Sequence, residues 1–152
     1  MEVADLDELD LSIIRLLQQD GRMAYTEIAK QLKVSEGTVR SRTNRMLSEK
    51  TFEFIVHVNP NKIGLHTQAI IGLQTQMGMQ EQVASELVRC PEVRFVAAFS
   101  GAFDLILQAY FESNKELVEF MNTTLAKMEG VLKAEVSLEL KQYKDTFNFV
   151  NE

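Results

Sequence analysis

Residues Thr26–Leu47 read TEIAKQLKVSEGTVRSRTNRML, and this stretch decides how the first third of the chain folds. Thr26 is an N-cap type of residue ahead of Ile28, Ala29 and Leu32, which fall on one helix face. Ser35 is a second N-cap type, ahead of Val39, Met46 and Leu47. Only Lys33 and Val34 separate Leu32 from that cap. Two short helices joined so tightly cannot lie antiparallel. They must cross steeply, with Ala29 as the small residue that lets the axes approach, which is a helix-turn-helix.

Upstream, Leu9, Ile13, Leu16 and Leu17 share one face of a first helix predicted over residues 7–20, with Gly21 as its stop. Residues 1–51 thus form a three-helix unit. Asp5, Asp7 and Asp10 at its start suit capping and the helix dipole; as a metal site they lack further ligands.

Charge is unevenly spread. The whole chain carries a net −6. Residues 1–20 hold Arg15 against six carboxylates, and residues 63–152 hold seven basic against twelve acidic side chains. Residues 22–50 hold seven basic against three acidic, a net +4 centred on the second and third helices. On the third helix Glu36, Thr38, Arg40, Ser41, Arg42, Asn44 and Arg45 stay outside once Val39, Met46 and Leu47 turn inward. The expected reading stripe is Ser41, Asn44 and Arg45, with Thr38 one turn before. Arginine suits guanine edges, asparagine suits adenine, and hydroxyls suit phosphates or bases. The free N–H groups near Glu36 and Gly37, with Lys33 and Ser35 just before them, suit a phosphate. A solvated amphipathic helix would show similar residues. The concentration of positive charge at the second helix of a tight pair favours double-stranded DNA as partner.

From Thr51 the pattern changes. Phe52, Phe54, Ile55, Val56 and Val58 favour a strand before the turn Asn59-Pro60-Asn61, so residues 52–64 read as a hinge strand and linker. Residues 65–142 then alternate: strand His66–Gln76, helix Met79–Arg89, strands Val93–Phe99 and Phe103–Phe111, helix Ser113–Met128, strand Val131–Gln142. Residues 143–152 are a tail. The order βαββαβ makes an antiparallel sheet with both helices on one face, so the fold class is α+β. Phe103, Leu105 and Leu107 are expected on one face of their strand, Ile106 and Tyr110 on the other. Ile70 and Ile71 likewise point opposite ways. Helices cover only one face, so the apolar second face predicts a homodimer through this sheet.

Other classes find little support. No apolar run is long enough to cross a bilayer, and no secretion signal appears. A lone Cys90, read as a small apolar residue near a helix end, fits a reducing cytoplasm. His57 and His66 stand apart from any metal motif, the methionines read as filler, and no nucleophile or phosphate-loop motif occurs. The expectation is therefore no enzyme, no catalytic residues, no metal and no cofactor.

Several runs together resemble one family. They are Leu6-Asp7-Glu8-Leu9-Asp10 with Ile13-Ile14-Arg15-Leu16-Leu17; Asp20-Gly21-Arg22; Tyr25-Thr26-Glu27-Ile28-Ala29-Lys30; and Val34-Ser35-Glu36 with Thr38-Val39-Arg40 and Arg42. Further on, Ser100-Gly101-Ala102-Phe103-Asp104 resembles a Gly-x-aromatic-Asp turn, and Glu129-Gly130-Val131 a Pro-Gly-Val. The chain resembles the Lrp/AsnC (leucine-responsive, feast/famine) regulators over nearly its whole length. The resemblance implies a winged-helix-like DNA-binding domain and a ferredoxin-like domain of the RAM/ACT type. It also implies prokaryotic transcription regulation, and an amino-acid effector bound between dimers that assemble to an octamer. Three departures stand out. Lys33 sits where the family has glycine in a turn often needing positive φ, Thr43 replaces a large aliphatic, and Lys50-Thr51 replaces a Gly-aliphatic exit.

The turn Ser100-Gly101-Ala102-Phe103-Asp104 is the candidate effector site. Its backbone N–H groups suit a carboxylate, Gly101 permits close approach, and Asp104 suits an ammonium. The same residues would also serve as a plain connection between strands. Ser137 and Glu139 share a face of the last strand and are candidates to complete the pocket from a neighbouring subunit. Two other functions remain open: a haem-precursor decarboxylase-like enzyme of related architecture, and a regulatory subunit that has lost DNA binding.

Overall fold

The computed structural model describes residues 5–146 and 148–150. The chain divides into two compact units: residues up to Val56 together with the tail from Lys144, and His57–Tyr143.

In the first unit, α1 spans Glu8–Gln19, α2 Tyr25–Leu32 and α3 Glu36–Ser48. Asp7 caps α1 through a reciprocal pair: its carboxylate accepts from the Asp10 amide at 2.9 Å, and its own amide donates to Asp10 at 3.2 Å. Ser35 caps α3 as expected, its hydroxyl accepting from the Thr38 amide at 3.0 Å. Thr26 caps nothing. It lies inside α2, whose start is set by Ala24, because Tyr25 packs against the core and the Ala24 carbonyl takes the first helical bonds from Glu27 and Ile28. Lys33 and Lys50, at the two departures where glycine was anticipated, both adopt left-handed backbone, with φ of 55° and 56°.

Ile13, Ile14, Leu17, Ile28, Ala29, Val39 and Met46 make the core of this unit. Leu47 is only half-buried. The third inward position of α3 belongs to Thr43, which is fully buried with a hydroxyl that has no hydrogen-bond partner.

The hinge strand does not form. Residues 52–59 take no regular secondary structure, since no backbone among the described residues pairs with them and a strand needs a ladder partner. Phe54, Ile55, Val56 and Val58 remain exposed. Phe52 turns back onto the helical core and meets Phe54 edge to face at 5.5 Å.

The second unit has the expected order: β1 Thr67–Thr75, α4 Gln80–Leu87, β2 Val93–Ala98, β3 Leu105–Phe111, α5 Asn114–Glu119 and β4 Val131–Leu138. The sheet runs β2-β3-β1-β4, antiparallel throughout. Ala69, Ile71, Leu73, Leu105, Leu107, Ala109 and Phe111 face Val83 and Leu87 of α4, Leu117 of α5 and the following Phe120 and Leu125. The helix expected to run to Met128 stops at Glu119. A π turn over Phe120–Thr124 and a 3-10 turn over Leu125–Lys127 replace it. Phe120 and Leu125 are both buried, and a five-residue spacing reaches one face only if the helix widens. β4 ends at Leu138 rather than Gln142, its last ladder bond being the Glu139 amide to the Gln68 carbonyl.

Phe103 departs from expectation. It precedes β3 rather than joining Leu105 and Leu107, and its ring lies over Gly72, where an added Cβ would be 2.6 Å away. Gly72 pairs with Ile106 and Glu135, on the face opposite the core, so Phe103 belongs to that face. Ile70, Phe95, Ala97, Ile106 and Tyr110 share it by register.

Candidate nucleic-acid interface and effector turn

The side chains of α3 sort into three rows. Val39, Thr43 and Met46 are buried. Gly37, Ser41 and Asn44 form an exposed row, at the i, i+4, i+7 spacing of one helix face. The arginines lie on the shoulders, and all three are engaged. Arg40 pairs with Glu36 at 2.5 Å and lies over the Tyr25 ring, 5.5 Å from its centroid. Arg42 donates to Asp7 at 2.5 Å and to Asp10 at 3.2 Å, and Arg45 donates to Asp10 at 2.5 Å. Arg45 therefore does not share the stripe with Ser41 and Asn44. It turns, with Arg42, toward the start of α1.

The acidic cluster thus has a second role beyond capping. Asp10 is completely buried and Asp7 half-exposed, and both take guanidinium bonds from α3 while holding the first turn of α1. The Asp10 amide and the Arg42 guanidinium hold the Asp7 carboxyl below the usual carboxylate range. Asp7 and then Asp10 push Arg42 further upward. Among the described residues no three His, Cys, Asp or Glu side chains are grouped to hold a metal ion. Sequence alone assigns these aspartates only a capping role; their pairing with Arg42 and Arg45 of α3 is a tertiary contact.

Lys33 is exposed at the tight turn, with Ser35 and Thr38 sharing a 2.8 Å hydroxyl contact beside it. Glu36, Gly37 and Thr38 follow as the first turn of α3, with Gly37 exposed and the other two half-buried.

At the other site, Gly101 takes φ 140°, and the residues around it are exposed. Asp104 is more committed than expected. Its carboxylate Oδ2 accepts from the Thr75 amide at 2.7 Å and the Thr75 hydroxyl at 3.2 Å. Its amide donates to the Leu73 carbonyl, and its carbonyl accepts from the Phe99 amide and the Gln80 side chain. Gln74 donates to the Ala102 carbonyl at 3.0 Å. Thr75, Gln74 and Gln80 carried no sequence signal for this work. Ser137 pairs with Ile70, and Glu139 bonds at Gln68. Both stand on the face opposite the core, three or more residues along β1 from Leu73, roughly 10 Å or more at strand rise.

An AsnC-type helix-turn-helix domain model matches residues 6–47, and an Lrp/AsnC ligand binding domain model matches residues 68–149. The chain belongs to the Lrp/AsnC family. Its relatives include an uncharacterised HTH-type transcriptional regulator of Pyrococcus horikoshii, 38% identical over 88% of this chain and 85% of that one. HTH-type transcriptional regulator FL11 of Pyrococcus furiosus is 31% identical over 93% of each. Among solved structures, a transcriptional regulator of Neisseria meningitidis in complex with L-Met superposes with a TM-score of 0.88, at 27% identity over 93% of this chain and 94% of that one. AsnC of E. coli shares the fold, with a TM-score of 0.89 at 21% identity over 93% and 97%. This Lrp/AsnC member is a DNA-binding transcriptional regulator. No helix among its described residues is long and apolar enough to cross a membrane.

Proposed function

We propose that this regulator binds duplex DNA sequence-specifically as a cytoplasmic homodimer, and that an amino acid acting at the Ser100–Asp104 turn alters its assembly or DNA affinity. The exposed row of Gly37, Ser41 and Asn44 on a Ser35-capped helix carries the DNA half of this reading, within residues 22–50, where seven basic side chains stand against three acidic. Lys33, Glu36, Thr38 and Arg40 border the row. The relatives' names as transcriptional regulators favour this reading over a decarboxylase-like enzyme or a subunit without DNA affinity.

The Neisseria structure's L-Met supports an amino acid as the effector class. The turn supplies glycine backbone and one Asp104 oxygen beyond those given to Thr75. Ser137 and Glu139 are proposed to reach an effector from another subunit, which makes the pocket a property of the assembly. The half-exposed Phe95 and Ile70, with Ile106, Tyr110 and Phe103, supply an apolar sheet face for a second copy, and such dimers are proposed to associate further, toward an octamer.

Selection of bound genomic fragments, repeated with a panel of amino acids, tests the whole scheme. A discrete set of sites is expected, with affinity falling steeply as salt rises and at least one amino acid shifting it. Binding without sequence preference, or insensitive to salt, overturns it. Size exclusion with light scattering is expected to show dimers or larger species; only monomer at micromolar concentration refutes the assembly. Asp104→Ala is expected to lose the effector response, and an unchanged response removes the turn as the site.

A further inference from the structure

Gly37 has no reason within the fold. It is the second residue of α3, its backbone is not left-handed, and the nearest atom to an added Cβ would be Ser35 Oγ at 3.7 Å, an ordinary contact. Alanine would fit there. Glycine costs up to roughly 1 kcal/mol against alanine in a helix interior and gains a helix nothing at its start, so stability alone does not select it here. What it changes is the outside of the helix: it removes the first side chain from the exposed row. The next two members are Ser41 and Asn44, whose polar groups make no hydrogen bond among the described residues. The three arginines beside the row are held by Glu36, Asp7 and Asp10. The row itself is therefore uncharged and ends in one unspent amide, with the exposed Arg40 at its border.

We infer that Asn44 is the specificity-determining side chain of this regulator, reading an adenine through the Gly37-Ser41-Asn44 row, and that Gly37 lets the first turn of α3 seat against the groove. This rests on the DNA reading above and refines it. The Asn44 amide offers one donor and one acceptor in a fork that matches adenine N6 and N7 in the major groove. Ser41, one turn earlier on the same row, offers a hydroxyl that serves a base or a phosphate equally. Arg42 and Arg45, the chemical types that read guanine, are occupied in holding α3 to α1.

The test uses the full-length protein and selection from a randomised duplex pool, followed by titration on the winning sequence. Wild type is expected to enrich a site with an adenine in each half. Asn44→Ala should relax the preference at that single position by roughly ten- to a hundredfold, keeping the other positions, the salt slope and the melting temperature. Gly37→Ala should melt no lower than wild type yet lose tenfold or more in site affinity. An unchanged consensus for Asn44→Ala, or wild-type affinity for Gly37→Ala, overturns the inference while leaving DNA binding intact. Failure of wild type to enrich any sequence overturns the underlying reading, and this inference with it.

Discussion

Two buried polar side chains of the helical unit show how much one atom can matter. Thr43 buries a hydroxyl without a partner, an arrangement that costs about 1–3 kcal/mol. Thr43→Val keeps the shape and removes the polar atom, so it is expected to stabilise the helical unit by about 1 kcal/mol in chemical denaturation. Asp10 is the reverse case, a fully buried carboxylate satisfied by Arg42, Arg45 and the Asp7 amide. Asp10→Ala is expected to cost on the order of 3 kcal/mol, the low end for a broken buried pair because both arginines are about a third exposed. Asp7 gives a pH signature. Its folded-state pKa lies below the ordinary 3.8, so its stabilising effect is complete above that value and is lost as pH falls through the lowered one. Stability followed from pH 6 to pH 2 should show an acid limb that flattens in Asp7→Asn.

At the level of elements, features set by neighbouring residues were legible and those set by distant contacts were not. Ser35 was readable as a cap because the bond it makes reaches only to Thr38. Thr26 misled because Tyr25, packing on the core, moved the start of α2 forward. The βαββαβ order followed from alternating patterns, yet the run after Ser113 broke into three kinds of helix to bury both Phe120 and Leu125. Phe103 looked like a strand residue by alternation, and only Gly72, on a strand some thirty residues away in sequence, reveals which face receives it. That contact is testable. A methyl at Gly72 collides with the Phe103 ring, so Gly72→Ala should cost about 1–3 kcal/mol and displace the Ser100–Asp104 turn, weakening the effector response proposed for that turn without touching α3. The arginines of α3 were legible as exposed and basic; that two of them serve α1 required knowing which aspartates face them.

For the molecule as a whole, the division of charge anticipated the division of labour, with basic side chains gathered where duplex DNA is expected and an acidic remainder. The sequence also suggested a simple succession of head, hinge, body and tail. The tail does not end the succession, since from Lys144 onward it belongs with the first unit: Val150 packs on the helical core, and its amide donates to the Gln18 side chain of α1 at 3.3 Å. The reading head is therefore assembled from two separated lengths of polypeptide, and scissors applied in the hinge cannot free it intact. Residues 1–56 produced alone are expected to melt below the same unit within the full chain, and Val150→Asp in the full chain should reproduce part of that loss. A transplant of this head onto another regulator would have to carry a few residues from the far terminus along with it.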